Sequence, residues 1–123
     1  MAARQKLGEA ELGAALRTLD GWSVAEGKLR RTFEFADFVE AWGFMCSVAL
    51  VVQQMDHHPE WFNVYHRVVV DLVTHSAHGI TARDVELARR MSEIAARRRG
   101  VLERVPRAPR RSGFQTSSGG SRT

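Results

Sequence analysis

Residues 61–75 read WFNVYHRVVVDLVTH, a stretch so rich in valine and aromatic residues that it belongs in a β-sheet. Val68, Val70 and Leu72 alternate with Val69, Asp71 and Val73, which is the period of strands with a buried face. Two strands fit here, separated somewhere between Asn63 and Arg67, although no glycine marks the break. Before this stretch, Asp37 and Glu40 have the spacing of a capping box, and Phe38, Trp42, Met45, Cys46, Ala49 and Val52 form one apolar stripe. They predict a long helix over about residues 38–54. Earlier still, Trp22 and Val24, then Leu29, Phe33 and Phe35, alternate with polar residues around Glu26-Gly27-Lys28, the pattern of a hairpin. Leu12, Ala15, Leu16 and Leu19 recur at helical spacing and stop at Asp20-Gly21, predicting a first helix over about residues 9–19. Beyond the quoted stretch, Thr81 and Asp84 repeat the cap signal. Val85, Ala88, Met91 and Ala95 continue as a helix expected to end at Gly100, with Arg97 to Arg99 placed where cations suit the helix dipole. The order α-β-β-α-β-β-α implies an α+β fold, a four-stranded antiparallel sheet with three helices packed on one face.

The chain of 123 residues has room for one such domain, and its 44% hydrophobic and 26% charged residues exclude a wholly disordered or fibrous protein. Cys46 is the lone cysteine, so neither a disulfide framework nor a cysteine-rich zinc fold is available. Its place on the apolar stripe predicts core packing rather than a nucleophile, and Ser76 sits in no nucleophile elbow. The longest uninterrupted apolar run, Val48 to Val52, is far short of the roughly 20 residues of a membrane span, and no signal-peptide pattern is present. A cytoplasmic location is the resulting expectation. The net charge of +4 is misleading until it is located, because eight arginines and a single acid fall in residues 97–123 and leave 10 basic and 13 acidic residues in 1–96, a net of −3. The domain is accordingly expected over 1–100, with 101–123 a disordered Arg/Ser/Gly-rich tail, solvated rather than nucleic-acid binding.

All five histidines, His57, His58, His66, His75 and His78, lie within 22 residues. His57 and His58 follow the long helix and precede Pro59, which biases His58 away from helical geometry and puts both in a loop. His75 closes the last strand. Imidazole and imidazolium coexist near neutral pH, so histidines around one pocket can supply an acid and a base without a metal. Zinc is a poorer reading, since adjacent His57 and His58 diverge and no HExxH or CxxC pattern supports them. For His66 and His78 the bland reading of solvated loop or strand-edge residues is preferred. Trp61 and Tyr65 could wall a flat heteroaromatic ligand or simply be sheet core, and core is preferred for Trp61. Asp84 could cap its helix, orient an imidazole, or do both.

The run Asp56-His57-His58-Pro59-Glu60-Trp61-Phe62-Asn63-Val64-Tyr65, followed by Thr74-His75, Gly79 and Thr81-Ala82-Arg83-Asp84, resembles the signature of the pterin-4a-carbinolamine dehydratases. The likeness covers about residues 8–96. It implies loss of water from a 4a-hydroxytetrahydropterin to give the quinonoid dihydropterin, in tetrahydropterin recycling. It further implies His57 and His75 as acid and base, His58 as a pterin-binding group, Asp84 as a support for His75, and neither metal nor organic cofactor. A homodimer or homotetramer is implied as well. Where the family usually carries a charged residue four positions before His57, often glutamate, this chain has Gln53, which can orient an imidazole but not stabilise its cation by charge. A reading of another class stands beside the enzyme: a non-catalytic dimerising or assembly partner built on the same fold.

Overall fold

The computed structural model of the protein describes residues 5–104, with side chains as far as Arg98. Its elements are α1 (Glu9–Leu16), β1 (Ser23–Ala25), β2 (Lys28–Glu34), α2 (Phe38–Met55), β3 (Glu60–Val64), β4 (Arg67–Leu72), a 3-10 turn at His75–Ala77, and α3 (Ala82–Arg104). All strand pairs are antiparallel, in the order β1-β2-β4-β3. The expected α+β fold is therefore the one observed.

Each strand junction has a local cause. Glu26 and Gly27 both take positive φ, 54° and 77°, the backbone of a two-residue hairpin loop whose twist matches that of the strands. Between β3 and β4 the turn is Tyr65-His66, and Tyr65 holds φ 55° without being glycine. The Asn63 amide supports it, donating to the carbonyls of Tyr65 at 3.3 Å and Arg67 at 2.9 Å. This is the unmarked break of the sequence.

One face of the sheet carries Leu29, Phe33, Val68, Val70 and Leu72, all buried against α2 and α3. Phe33 lies at the centre of an aromatic group, with ring centroids 5.9 Å from Trp22 and 4.7 Å from Phe44. The Trp22 indole N–H donates to Ser92 Oγ at 2.8 Å, which ties the start of the hairpin to α3. Leu12, Ala15 and Leu16 of α1 pack on the same core.

Three sequence expectations are corrected. The regular part of α1 stops at Leu16, and tighter i to i+3 bonds carry the chain on to Leu19. Gly100 does not end α3, which runs to Arg104; one glycine costs a helix only about 1 kcal/mol and does not by itself terminate it. In α2 the buried face is Ala41, Phe44, Val48, Val51 and Val52, whereas Phe38, Trp42, Cys46 and Ala49 of the expected stripe are exposed. Cys46 is thus not a core residue. The helix is apolar nearly all round, with a mean hydropathy of 1.3, and an apolar residue on every side leaves the choice of core face to the sheet. By length and composition α2 would suit a membrane, yet one of its faces is the core of this domain. Residues 105–123, which hold nearly all of the expected tail, lie outside the described residues.

Candidate active site

The site begins at the end of α2. Asp56 adopts the left-handed conformation (φ 53°, ψ 46°), its N–H donating to the Gln53 carbonyl at 3.3 Å and that of His57 to the Val52 carbonyl at 3.2 Å. These two bonds are a Schellman motif, which reverses the chain after the last turn. Arg83, in the first turn of α3, donates to the carbonyls of Met55 at 2.5 Å and Asp56 at 3.0 Å. The carboxyl end of α2 is thereby tied to the amino end of α3. His57 is carried inward and is only 7% exposed.

His57 Nε2 lies 2.6 Å from Asp84 Oδ1. Asp84 is fully buried, and its Oδ2 accepts from the Thr74 hydroxyl and from the Thr81 N–H, each at 2.8 Å. The Thr81 bond is the helix cap expected from the sequence. Asp84 therefore caps α3 and orients an imidazole at once, but the imidazole is that of His57, not of His75. The expectation fails because Asp84 opens α3 pointing into the domain, where the Schellman turn delivers His57, while His75 points out. With the carboxylate already accepting from two donors, the network assigns the proton to His57 Nε2. Nδ1 has no hydrogen bond among the described residues and is not sealed from solvent.

His75 follows Thr74 directly, so it stands one residue from the Asp84 network. Rather than closing β4 it opens the 3-10 turn, with its side chain 77% exposed. Its Nε2 is 3.0 Å from Glu60 Oε2, and Glu60 Oε1 is 2.7 Å from Lys28 Nζ. The Lys28 hydrogen bond, reinforced by His75, holds the Glu60 carboxyl below the usual carboxylate range, and Glu60 in turn raises Lys28.

The other candidates separate. His58 is largely exposed, and its 3.8 Å to Asp56 Oδ1 is too long for a hydrogen bond. Trp61 is half-buried and packs against the core. Gln53 is exposed on the last turn of α2 and makes no side-chain hydrogen bond among the described residues, the charged partner of His57 being Asp84 instead. His78 is exposed, as expected. His66 is half-buried with Nδ1 sealed from solvent and unpartnered among the described residues, its ring edge-on to Tyr65, which corrects its reading as a solvated residue. Glu60 and Thr74 escaped sequence reading as site residues, because their partners are set by strand pairing rather than by spacing. Among the described residues no three His, Cys, Asp or Glu side chains are grouped to hold a metal ion.

The candidate site of this α+β domain thus holds two imidazoles, each with Nε2 on a carboxylate: His57 on the buried Asp84, which Thr74 and Thr81 also bind, and His75 on the exposed Glu60. The family model for pterin 4 alpha carbinolamine dehydratase matches residues 5–94, and the chain belongs to that family. It is 53% identical over 91 residues to a protein of Solibacter usitatus, covering 74% of this chain and 96% of that one. It is also 50% identical over 95 residues to one of Brucella ovis, covering 76% and 98%. Both are provisionally named pterin-4-alpha-carbinolamine dehydratase. A crystal structure from Brucella melitensis, described as a transcriptional coactivator/pterin dehydratase, superposes with a TM-score of 0.72 at 49% identity, over 74% of this chain and 99% of that one.

Proposed function

We propose that the protein dehydrates a 4a-hydroxytetrahydropterin to the quinonoid dihydropterin, as a hydro-lyase in tetrahydropterin recycling, with His57 and His75 as its proton-transfer pair. The observation that carries this is the His57–Asp84 bond of 2.6 Å, an imidazole held by a buried carboxylate with its other nitrogen free. In the reaction an imidazolium donates a proton to the 4a-hydroxyl as the C4a–O bond breaks. The N5–H bonding pair becomes the C4a–N5 double bond, and the second imidazole takes the N5 proton. Water and quinonoid product result, and the acid and base exchange a proton through solvent. Asp84 holds the His57 ring through Nε2 during the step, and Glu60 contacts Nε2 of His75. His58 and Trp61 as pterin-binding groups, and Gln53 as a supporting one, are roles that rest on the family resemblance alone. Neither metal nor organic cofactor takes part.

His75 gives the clean test because its exposure separates catalysis from folding. His75→Ala should melt like the parent yet lose much of an acceleration that general acid or base catalysis sets at about a hundred- to ten-thousand-fold. Turnover of freshly generated carbinolamine, corrected for the uncatalysed reaction, is the measurement. An unmutated protein no faster than background would sink the reading.

A second reading, an assembly partner on the same fold, is favoured by the outer face of α2. Val39 is 70%, Trp42 54% and Leu50 76% exposed. Glu40 is the sole charge on the helix and is taken by Arg98. Exposed aromatic and aliphatic side chains in one such row mark an interaction surface. A second copy presenting the same face would satisfy it by two-fold symmetry, giving the homodimer or, with a further contact, the homotetramer. Enzyme and assembly roles are compatible, and the turnover assay decides whether the first exists.

A further inference from the structure

We propose that Glu60 is a positioning residue for His75, held in that role by Lys28 reaching across the sheet; this rests on the dehydratase reading and deepens it. An exposed histidine–carboxylate pair alone is weak, since both side chains rotate freely and water screens the charges. Here the carboxylate is not free. Its two oxygens are divided, Oε1 to Lys28 at 2.7 Å and Oε2 to His75 at 3.0 Å.

The strand register explains why Lys28 is available. Glu60 opens β3 opposite Asp71 of β4, and Asp71 is opposite Arg30 of β2. Arg30 occupies both Asp71 oxygens, at 2.7 and 2.9 Å, and also faces Glu26 at 4.0 Å. With Asp71 so engaged, the remaining cation at this end of β2, Lys28, spans to Glu60. The charged groups that act on Glu60 are Lys28 and His75, both in contact with it, while Asp71 and Glu26 act on Lys28 beside Glu60 itself. With Nε2 fixed on Glu60, Nδ1 of His75 is the free ring atom, as it is in His57. Glu60 thus stands to His75 as the buried Asp84 stands to His57, each carboxylate holding an Nε2.

Three variants test this, Glu60→Gln at an exposed position and Lys28→Met and Lys28→Arg at a half-buried one; neither residue is in the core, so the melting temperature should move only slightly. The nitrogen resonances of the His75 ring, which report its tautomer and whether Nε2 is hydrogen-bonded, and steady-state turnover are read together. Removing the carboxylate should move the Nε2 resonance toward that of an unbonded ring nitrogen and let the two tautomers mix. kcat should fall about three- to tenfold with KM unchanged, a fraction of what the acid or base itself contributes. Lys28→Met should show a smaller version of both effects, and Lys28→Arg, which can still donate to Oε1, should restore the parent values. An unchanged His75 ring spectrum in Glu60→Gln would overturn the contact. A changed spectrum with unchanged kcat would overturn its role in positioning. A parent protein without dehydratase activity would remove the role and the reading beneath it together, and the ring spectrum would still show whether Glu60 holds the ring.

Discussion

Asp84 combines more functions than any other residue of the site, since it caps α3, binds the Thr74 hydroxyl and holds His57, all without contact with water. A buried charge is tolerated only when its hydrogen bonds are complete, and removing one member of such a set typically costs about 3–5 kcal/mol. Asp84→Ala should therefore lose stability on that scale in denaturant unfolding, together with turnover. His57→Ala is an ambiguous test for the same reason, because it leaves Asp84 without its partner. His57→Gln keeps a donor near Asp84 and should melt closer to the parent while losing the proton-transfer rate. The pH dependence of Glu60 has a definite sign. Its carboxyl is held below the usual range by Lys28, so the small stabilisation it gives is present above that range and lost as pH falls through its lowered pKa. The difference in melting temperature between parent and Glu60→Gln should accordingly shrink on acidification from about pH 5 to pH 3.

At the scale of elements, the ends of helices and strands place the candidate site. The Schellman turn at Asp56 sets the path of His57, and a left-handed residue there favours glycine. Asp56→Gly should therefore raise stability by about 0.5–1 kcal/mol in thermal melting. No change would show that Asp56 is stabilised by contacts other than its backbone. The turn between β3 and β4 depends on the Asn63 side chain, so Asn63→Ala should cost about 1 kcal/mol, read in the same assay. Caps were legible from spacing, as Asp37 accepts from the Glu40 N–H at 2.9 Å and Asp84 accepts from Thr81. The core face of α2 was not, because Trp42 and Cys46 satisfy the helical period as well as Phe44 and Val48 do.

For the whole molecule, the apolar row on α2 should govern association. A Trp42→Glu, Leu50→Glu double variant should sediment as a smaller species than the parent while keeping its circular dichroism spectrum, since neither side chain is in the core. Identical sedimentation would exclude this face as the interface. The core, the sheet and both histidine pairs lie within residues 5–104, so truncation after Arg104 should leave melting and turnover unchanged.

Strand alternation, helix caps and the order of elements were readable along the chain because each depends on neighbours within a few residues. The signature around His57, His58 and His75 was readable too, and so was the family. What only folding decided is which groups meet across long separations: His57 with Asp84 rather than His75 with Asp84, and Glu60 with Lys28 and His75. Those pairings follow from the reversal at Asp56, the Arg83 tie between helices and the register of β2, β4 and β3. A spacing along the sequence carries no information about the direction in which a side chain leaves its element, and that direction chose the partners.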